Sequence, residues 1–328
     1  VSRLAEWLFE AGIGENRAAL VEGGEIVEAR IERDSDGPRL GAVLAGKLIA
    51  AGARPRVVLD WSGAPEATLA TLPPSLSIGA SLHVEITRMA LRERGRDKLA
   101  RAAFTDRPLT DGPDLRAQIT STGHPVTELH SRGPDRLEEA GWSELIDRVR
   151  AGRWPFAGGE LWFDMTPAML VIDIDGEGEA LSLARAGAVA AARLLRCCGV
   201  GGVSGVDFPS LAGRADRVAV AEVFDAHLPQ PYERTAINGF GFMQIVQRRS
   251  RPSLIEQLLF DPVATDTALL LRQAERAQGT GPLRLGARPA VAARLDERPD
   301  WIDLLQRRTG RPVMIERDEM MKGAGYAQ

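Results

Sequence analysis

The sequence predicts a mixed α/β protein built from several compact units, and three observations carry that reading. A chain of 328 residues is longer than one hydrophobic core usually serves, so two or three units are expected. The N-terminal third is rich in short alternating strands broken by Gly and Pro. From Gly158 onward strands alternate with helices, the signature of a mixed α/β layer. Composition agrees, since 44% hydrophobic and 26% charged residues exclude a mainly disordered chain.

Taken in order, NRAALVEGG and EIVEARIER flank Gly23-Gly24 and read as a hairpin. LGAVLAGKLIA, RPRVVLDWS and SLHVEITRM follow as short strands, a pattern that suggests a small β-barrel. Residues 105 to 160 are richer in Gly, Pro, Asp and Ser. They are expected to be partly linker, with one helical piece at DRLEEAGWSELIDRVRAG. GGELWFDMTPAMLVIDID reads as two strands joined at Thr166-Pro167, ALSLARAGAVAAARLLRCC as a helix, and GGVSGVDF as a buried strand. RADRVAVAEVFDAHL reads as a helix, YERTAING as a short strand and FGFMQIVQRR as a further helix. Helices at TDTALLLRQAERAQ, AVAARLDE and WIDLLQRRTG, with strands at PLRLGARP and RPVMIER, complete the chain. The expected division is 1–38, 39–104, 105–157, 158–260 and 261–328.

The formal net charge of -4 excludes a general polybasic nucleic-acid binder, although a local basic stripe is compatible with it. Among 41 basic residues only Lys47, Lys98 and Lys322 are lysine, so nearly every available phosphate contact is a bidentate-capable Arg. Cys197 and Cys198 are adjacent, and the four histidines are scattered without ligand spacing, so no zinc site is expected. No stretch reaches the roughly 20 apolar residues of a membrane span. The opening VSRLAEWLFEAGIGE does not read as a signal peptide, and the expected compartment is the cytoplasm.

The informative residues are acids at strand ends. In LVIDID, alternation sets Ile172 and Ile174 on one face and Asp173 and Asp175 on the other. GVSGVDF likewise ends on Asp207 after an apolar run. Two strand ends of one sheet bring such carboxylates together at an edge where α/β active sites commonly lie. Converging carboxylates repel, and a hard divalent cation such as magnesium relieves the repulsion. The other reading of DIDGEGE is a solvated acidic turn leading into a helix N-terminus. Downstream, Arg234, Arg248, Arg249 and Arg251 stand against the single acid Glu233. They are either phosphate contacts beside a metal site or a solvated helix face.

The order MTPAMLVIDID, RLLRCCGVGGVSGVDF and INGFGFMQIVQRRSRPSL, over roughly residues 158 to 254, resembles the catalytic core of the ribonuclease E/G family. The resemblance implies a DNase-I-like core that uses Mg2+ and water to cleave single-stranded RNA, leaving a 5′-phosphate and a 3′-hydroxyl. It implies that Asp173 and Asp207 are the magnesium aspartates. Asp175 stands where the family carries an orienting asparagine, and is either ligand or orienter. RAALVEGGEIVEARIER resembles the family's RNase-H-like opening hairpin. LGAVLAGKLIAAGARPRVVLDW is similar to its OB-like RNA-binding barrel, with Lys47 in register. Residues 265 to 320 resemble the small domain through which the family forms homodimers.

Departures accompany the likeness. Trp61 is the nearest candidate for a base-stacking aromatic on the barrel, or else a core residue. Arg88 is a further candidate RNA contact there. The stretch between barrel and core is too short for the family's 5′-end sensor. LIEQLLFDP lacks the cysteines of its zinc link, so no zinc-linked dimer is expected. Arg234 is the substitute for a basic strand residue, and Arg248 and Arg249 are the expected backbone contacts. The leading expectation is a compact endoribonuclease. The alternatives are a non-catalytic RNA-binding relative and an unrelated D-x-D glycosyl or nucleotidyl transferase.

Overall fold

The computed structural model describes residues 5–328, apart from the side chain of Arg96. The first four residues of the N-terminal unit therefore lie outside the described residues. The chain opens with β1 (Glu6–Ala11), β2 (Glu15–Glu22) and β3 (Glu25–Arg33), and the Gly23-Gly24 hairpin stands where expected. Next come β4 (Val43–Ala50), β5 (Arg56–Leu59), β6 (Glu66–Leu69), β7 (Ser81–Arg88), β8 (Leu91–Glu93), β9 (Arg96–Lys98) and β10 (Ala100–Phe104). Five of them close a small barrel in the order β10-β6-β5-β4-β7. Alternation explains the closure: Leu82, Val84 and Ile86 of β7 point inward while Ser81 and His83 face out.

Residues 105 to 157 carry more secondary structure than the partial linker expected, and the expected helical piece stands at Arg136–Glu139 and Trp142–Ala151. They form α1 (Leu115–Thr120), β11 (Val126–Leu129), α2 (Arg136–Glu139), α3 (Trp142–Ala151) and β12 (Arg153–Phe156). β11 pairs in parallel with β1 and completes a four-stranded sheet, β11-β1-β2-β3. Leu115 and Ile119 of α1 cover Trp7, Phe9 and Leu20 on one side of that sheet. The Trp7 indole N–H donates to Thr122 Oγ1 at 2.9 Å.

The central layer contains β13 (Gly159–Met165), β14 (Leu170–Gly176), α4 (Ala180–Cys197), β15 (Gly202–Asp207), α5 (Arg214–His227), β16 (Glu233–Arg234) and β17 (Phe242–Gln247). The sheet runs β12-β13-β14-β15-β17-β16, with β14 and β15 parallel across the α4 connection. The segment expected as the helix FGFMQIVQRR is the strand β17. Met243 and Ile245 are buried while Phe242, Gln244 and Val246 alternate away from them, so period two wins over period 3.6. Leu161, Phe163, Ile172, Ile174, Val206 and Met243 pack with α4 and α5 in the main core. The other face of the sheet is left open.

The chain ends with α6 (Leu254–Phe260), α7 (Pro262–Arg276), β18 (Leu283–Ala287), α8 (Pro289–Asp296), α9 (Pro299–Thr309), β19 (Val313–Arg317) and β20 (Tyr326–Ala327). Its own core holds Leu270, Leu271, Leu285, Val291, Leu295, Trp301 and Leu305. α6 was not anticipated; Ser253 and Glu256 cap it reciprocally. Buried ion pairs tie this unit to the first sheet: Glu15 accepts from Arg33 at 2.7 Å and also from Arg272 of α7. Burial pushes the Glu15 carboxyl up, but Arg272 and Arg33 more than offset it and leave it below its usual range.

Candidate functional site

The open face of the six-stranded sheet is read row by row from the register. One row runs Arg153, Trp162, Asp173, Asp207 and Phe242 across β12, β13, β14, β15 and β17. Asp173 and Asp207 are direct partners in the parallel pairing, so their strands stand about 4.8 Å apart at that level. Both side chains are exposed, because the residues that flank them, Ile172, Ile174 and Val206, take the buried face. Burial raises the Asp173 carboxyl above its usual range, and Asp207 and then Asp175 push it further in the same direction. Two neighbouring acids thus act on one carboxyl.

The next row pairs Asp175 with Glu160 of β13. Glu160 is neutralised by Arg153, whose Nε donates to its Oε2 at 2.8 Å. Asp175 Oδ1 accepts from its neighbour's backbone, Gly176 N, at 2.9 Å. Of the four acids in DIDGEGE, Glu179 has a structural task. It caps α4, accepting from Leu181 N and Ser182 N at 3.0 and 2.7 Å, and those hydrogen bonds hold its carboxyl below the usual range. The helix-capping reading therefore accounts for Glu179 and leaves the strand acids unexplained.

Among the described residues no group of three or more His, Cys, Asp or Glu side chains is gathered closely enough to hold a metal. The acid row supplies two adjacent carboxylates rather than a closed cage. That donor set fits magnesium, which takes few carboxylates and keeps its remaining positions for water and phosphate oxygens.

The expected basic residues separate into different roles. Arg234 lies opposite Ile245, on the helix-covered face, and its guanidinium clasps Asp225 of α5, with Nε 2.7 Å from Oδ1. It is thus turned away from the acid row and is not a free phosphate contact. Arg249 bridges Glu93 at 3.1 Å and Glu256, holding the β8–β9 hairpin against α6. Arg248 is exposed and makes no ion pair among the described residues. It follows β17 at the end opposite Phe242, about 20 Å along the strand from the acids.

Lys47 is exposed on β4 of the barrel, a sheet separate from the acid row. Trp61 is half-buried against the barrel core, which favours its structural reading. The Arg88 guanidinium donates to the Leu99 carbonyl within the barrel. A cavity of about 950 Å³ is lined by Ile26, Leu145, Trp154, Phe156 and Arg193 on the helix-covered side, and none of the three aspartates lines it.

Three aromatic residues beside the acids were missed in the sequence. Trp162 is 45% exposed on the polar face of β13, between Glu160 and Asp164, where alternation alone marks it as out of place. Phe242 leans across β15: a Cβ on Gly205 would lie 2.4 Å from its ring, so only glycine permits the approach. The Asn238 side chain accepts from Phe240 N and Phe242 N at 2.8 and 3.1 Å, and the turn leaves Phe240 92% exposed. Gly241, at φ +90°, brings that turn against Phe208 and close to the Asp207 carboxylate.

Compared with known proteins, the chain matches no family model and no curated protein. No helix among the described residues is long and apolar enough to cross a membrane.

Proposed function

We propose that the chain is a magnesium-dependent endoribonuclease of the ribonuclease E/G type, cutting single-stranded RNA to leave 5′-phosphate and 3′-hydroxyl ends. One observation carries the reading: Asp173, midway along β14, and Asp207, at the end of β15, are register partners. Burial and then Asp207 and Asp175 raise the Asp173 carboxyl, and the repulsive part of that rise is what a divalent cation would relieve. Bound there, magnesium would make a water more acidic and neutralise charge gathering on the scissile phosphate.

The chain's own residues do the rest. Asp173 and Asp207 hold the cation, and Asp175 either orients Asp173 or supplies a further oxygen. Glu160, Asp173, Asp175 and Asp207 outweigh Arg153 on this face, so a held cation would lower the repulsion that an anionic backbone meets there. Under this reading the six-stranded sheet is the DNase-I-like core, the barrel is the OB-like RNA platform, and the first sheet is the RNase-H-like part. Residues 261–328 form the small domain of a homodimer. Arg248 and Lys47 are the available phosphate contacts.

A second reading has one observation in its favour. Arg234 and Arg249 are engaged in ion pairs, as in a relative that binds RNA without cutting it. The deciding experiment offers a fluorogenic single-stranded RNA with magnesium to wild type and Asp173→Asn. Cutting by wild type alone, abolished by EDTA and yielding 5′-phosphate ends, supports the enzyme. Cutting that persists in EDTA or in the variant rejects it. Binding without cutting favours the second reading.

A further inference from the structure

The proposed cleavage site needs something to hold the nucleotides beside the scissile phosphate, and the barrel, with the half-buried Trp61 and the exposed Phe104, is a sheet separate from the acid row. The open face offers more. Trp162 stands between Arg153 and Asp173 in the acid row. The Arg153 guanidinium stacks on its ring at 4.4 Å, and Glu160 fixes that guanidinium in turn. The indole is therefore backed on the β12 side and oriented before any ligand arrives. Across the row its other neighbour is Asp173 of the acid pair.

An exposed tryptophan within a row of charged residues suits neither a lipid surface nor an apolar protein partner, because both would bury the neighbouring carboxylates without compensation. A nucleobase has the matching chemistry. Its π face stacks on the indole, while its polar edges and backbone stay in water or meet the acids and their cation. On the far side of the pair, Phe242 lies over Gly205. The two aromatics thus bracket the carboxylates across three strand spacings, about 14 Å.

We infer that Trp162, backed by Arg153, is a base-stacking platform that seats the nucleotide next to the cleaved bond. This rests on the endoribonuclease reading, and it makes Trp162 a binding residue rather than a catalytic one. It predicts tolerance of base identity, since every base presents a π face.

The test measures fluorescence anisotropy of a labelled oligouridine, and of an abasic oligomer of equal length, on the full chain in EDTA so that no cutting occurs. Trp162→Ala should weaken oligouridine binding about tenfold. Trp162→Phe should retain most of the affinity, and the abasic oligomer should not distinguish wild type from Trp162→Ala. Thermal melts check that both variants fold. Equal oligouridine affinity for wild type and Trp162→Ala, or an equal loss on the abasic oligomer, overturns the platform. The cleavage assay separates the two ideas. If Asp173→Asn abolishes cutting while Trp162→Ala binds normally, only the platform fails. If Trp162→Ala weakens binding and Asp173→Asn still cuts, the platform survives and the metal reading fails.

Discussion

Asp173 and Asp207 face each other across the parallel pairing of β14 and β15, two acids 34 positions apart in sequence that the fold sets side by side on its solvent face. Nothing about stability asks for this arrangement. Like charges on neighbouring strands are unfavourable, which makes this pair a candidate functional site.

The first prediction follows from that repulsion. In EDTA, Asp207→Asn should melt higher than wild type by about 1–2 °C, because Asp173 loses its repulsive neighbour. Magnesium should raise the melting temperature of wild type and have little effect on the variant. A lower melting temperature for the variant in EDTA would show that the pair is not in repulsion. Differential scanning fluorimetry reads both.

The two adjacent arginines after β17 should behave oppositely. Arg249→Ala leaves the buried Glu256 without its cation, removes one of the partners of Glu93, which keeps Lys98, and should cost about 3 kcal/mol of stability. Arg248→Ala should leave the urea midpoint unchanged and weaken RNA binding, with a shallower salt dependence. If both variants shift the midpoint equally, the assigned division of labour is wrong.

Asp36 supplies a pH prediction away from the site. Burial pushes its carboxyl up to about 6, with Glu15 and Glu32 adding to the rise while Arg33 opposes it. Between the ordinary value of 3.8 and about 6 the folded chain holds this proton more tightly than the unfolded chain. The contribution to stability is complete below that window and is lost as pH climbs through it. Asp36→Asn keeps an acceptor for Arg33 N and should gain stability over wild type as pH rises from 4 to 7. A constant difference between the two across that range would argue against the shift.

Much of the architecture is legible in the residues, and the failures have physical causes. The barrel strands and the hairpin at Gly23-Gly24 show clean alternation with turn glycines, so local pattern and fold agree. β11 was hidden because its partner β1 lies more than 100 residues earlier, and parallel pairing leaves no local mark. β17 was misread because the arginines that follow it suggested a basic helix, while the deciding alternation of Met243 and Ile245 spans only six residues. The acid pair was legible because in both strands an acid follows an apolar run, although Asp173 stands midway along β14 and only Asp207 ends its strand. The pairing of Arg234 with Asp225 was not, since it depends on which face of a two-residue strand meets α5.

The small domain gives a prediction about assembly. LIEQLLFDP forms α6 together with Asp261, which caps α7, and Pro262, which opens it, with no thiol among its residues. Light scattering should therefore return the same mass before and after treatment with a zinc chelator. A drop on chelation would reveal a metal link through other residues.

The most direct test of the account is binding of Mn2+ as a magnesium surrogate, followed by electron paramagnetic resonance on wild type, Asp173→Asn and Asp207→Asn. Joint ligation by the facing acids predicts a site in wild type whose affinity falls at least tenfold in each single variant. Unchanged manganese affinity in either variant would contradict it.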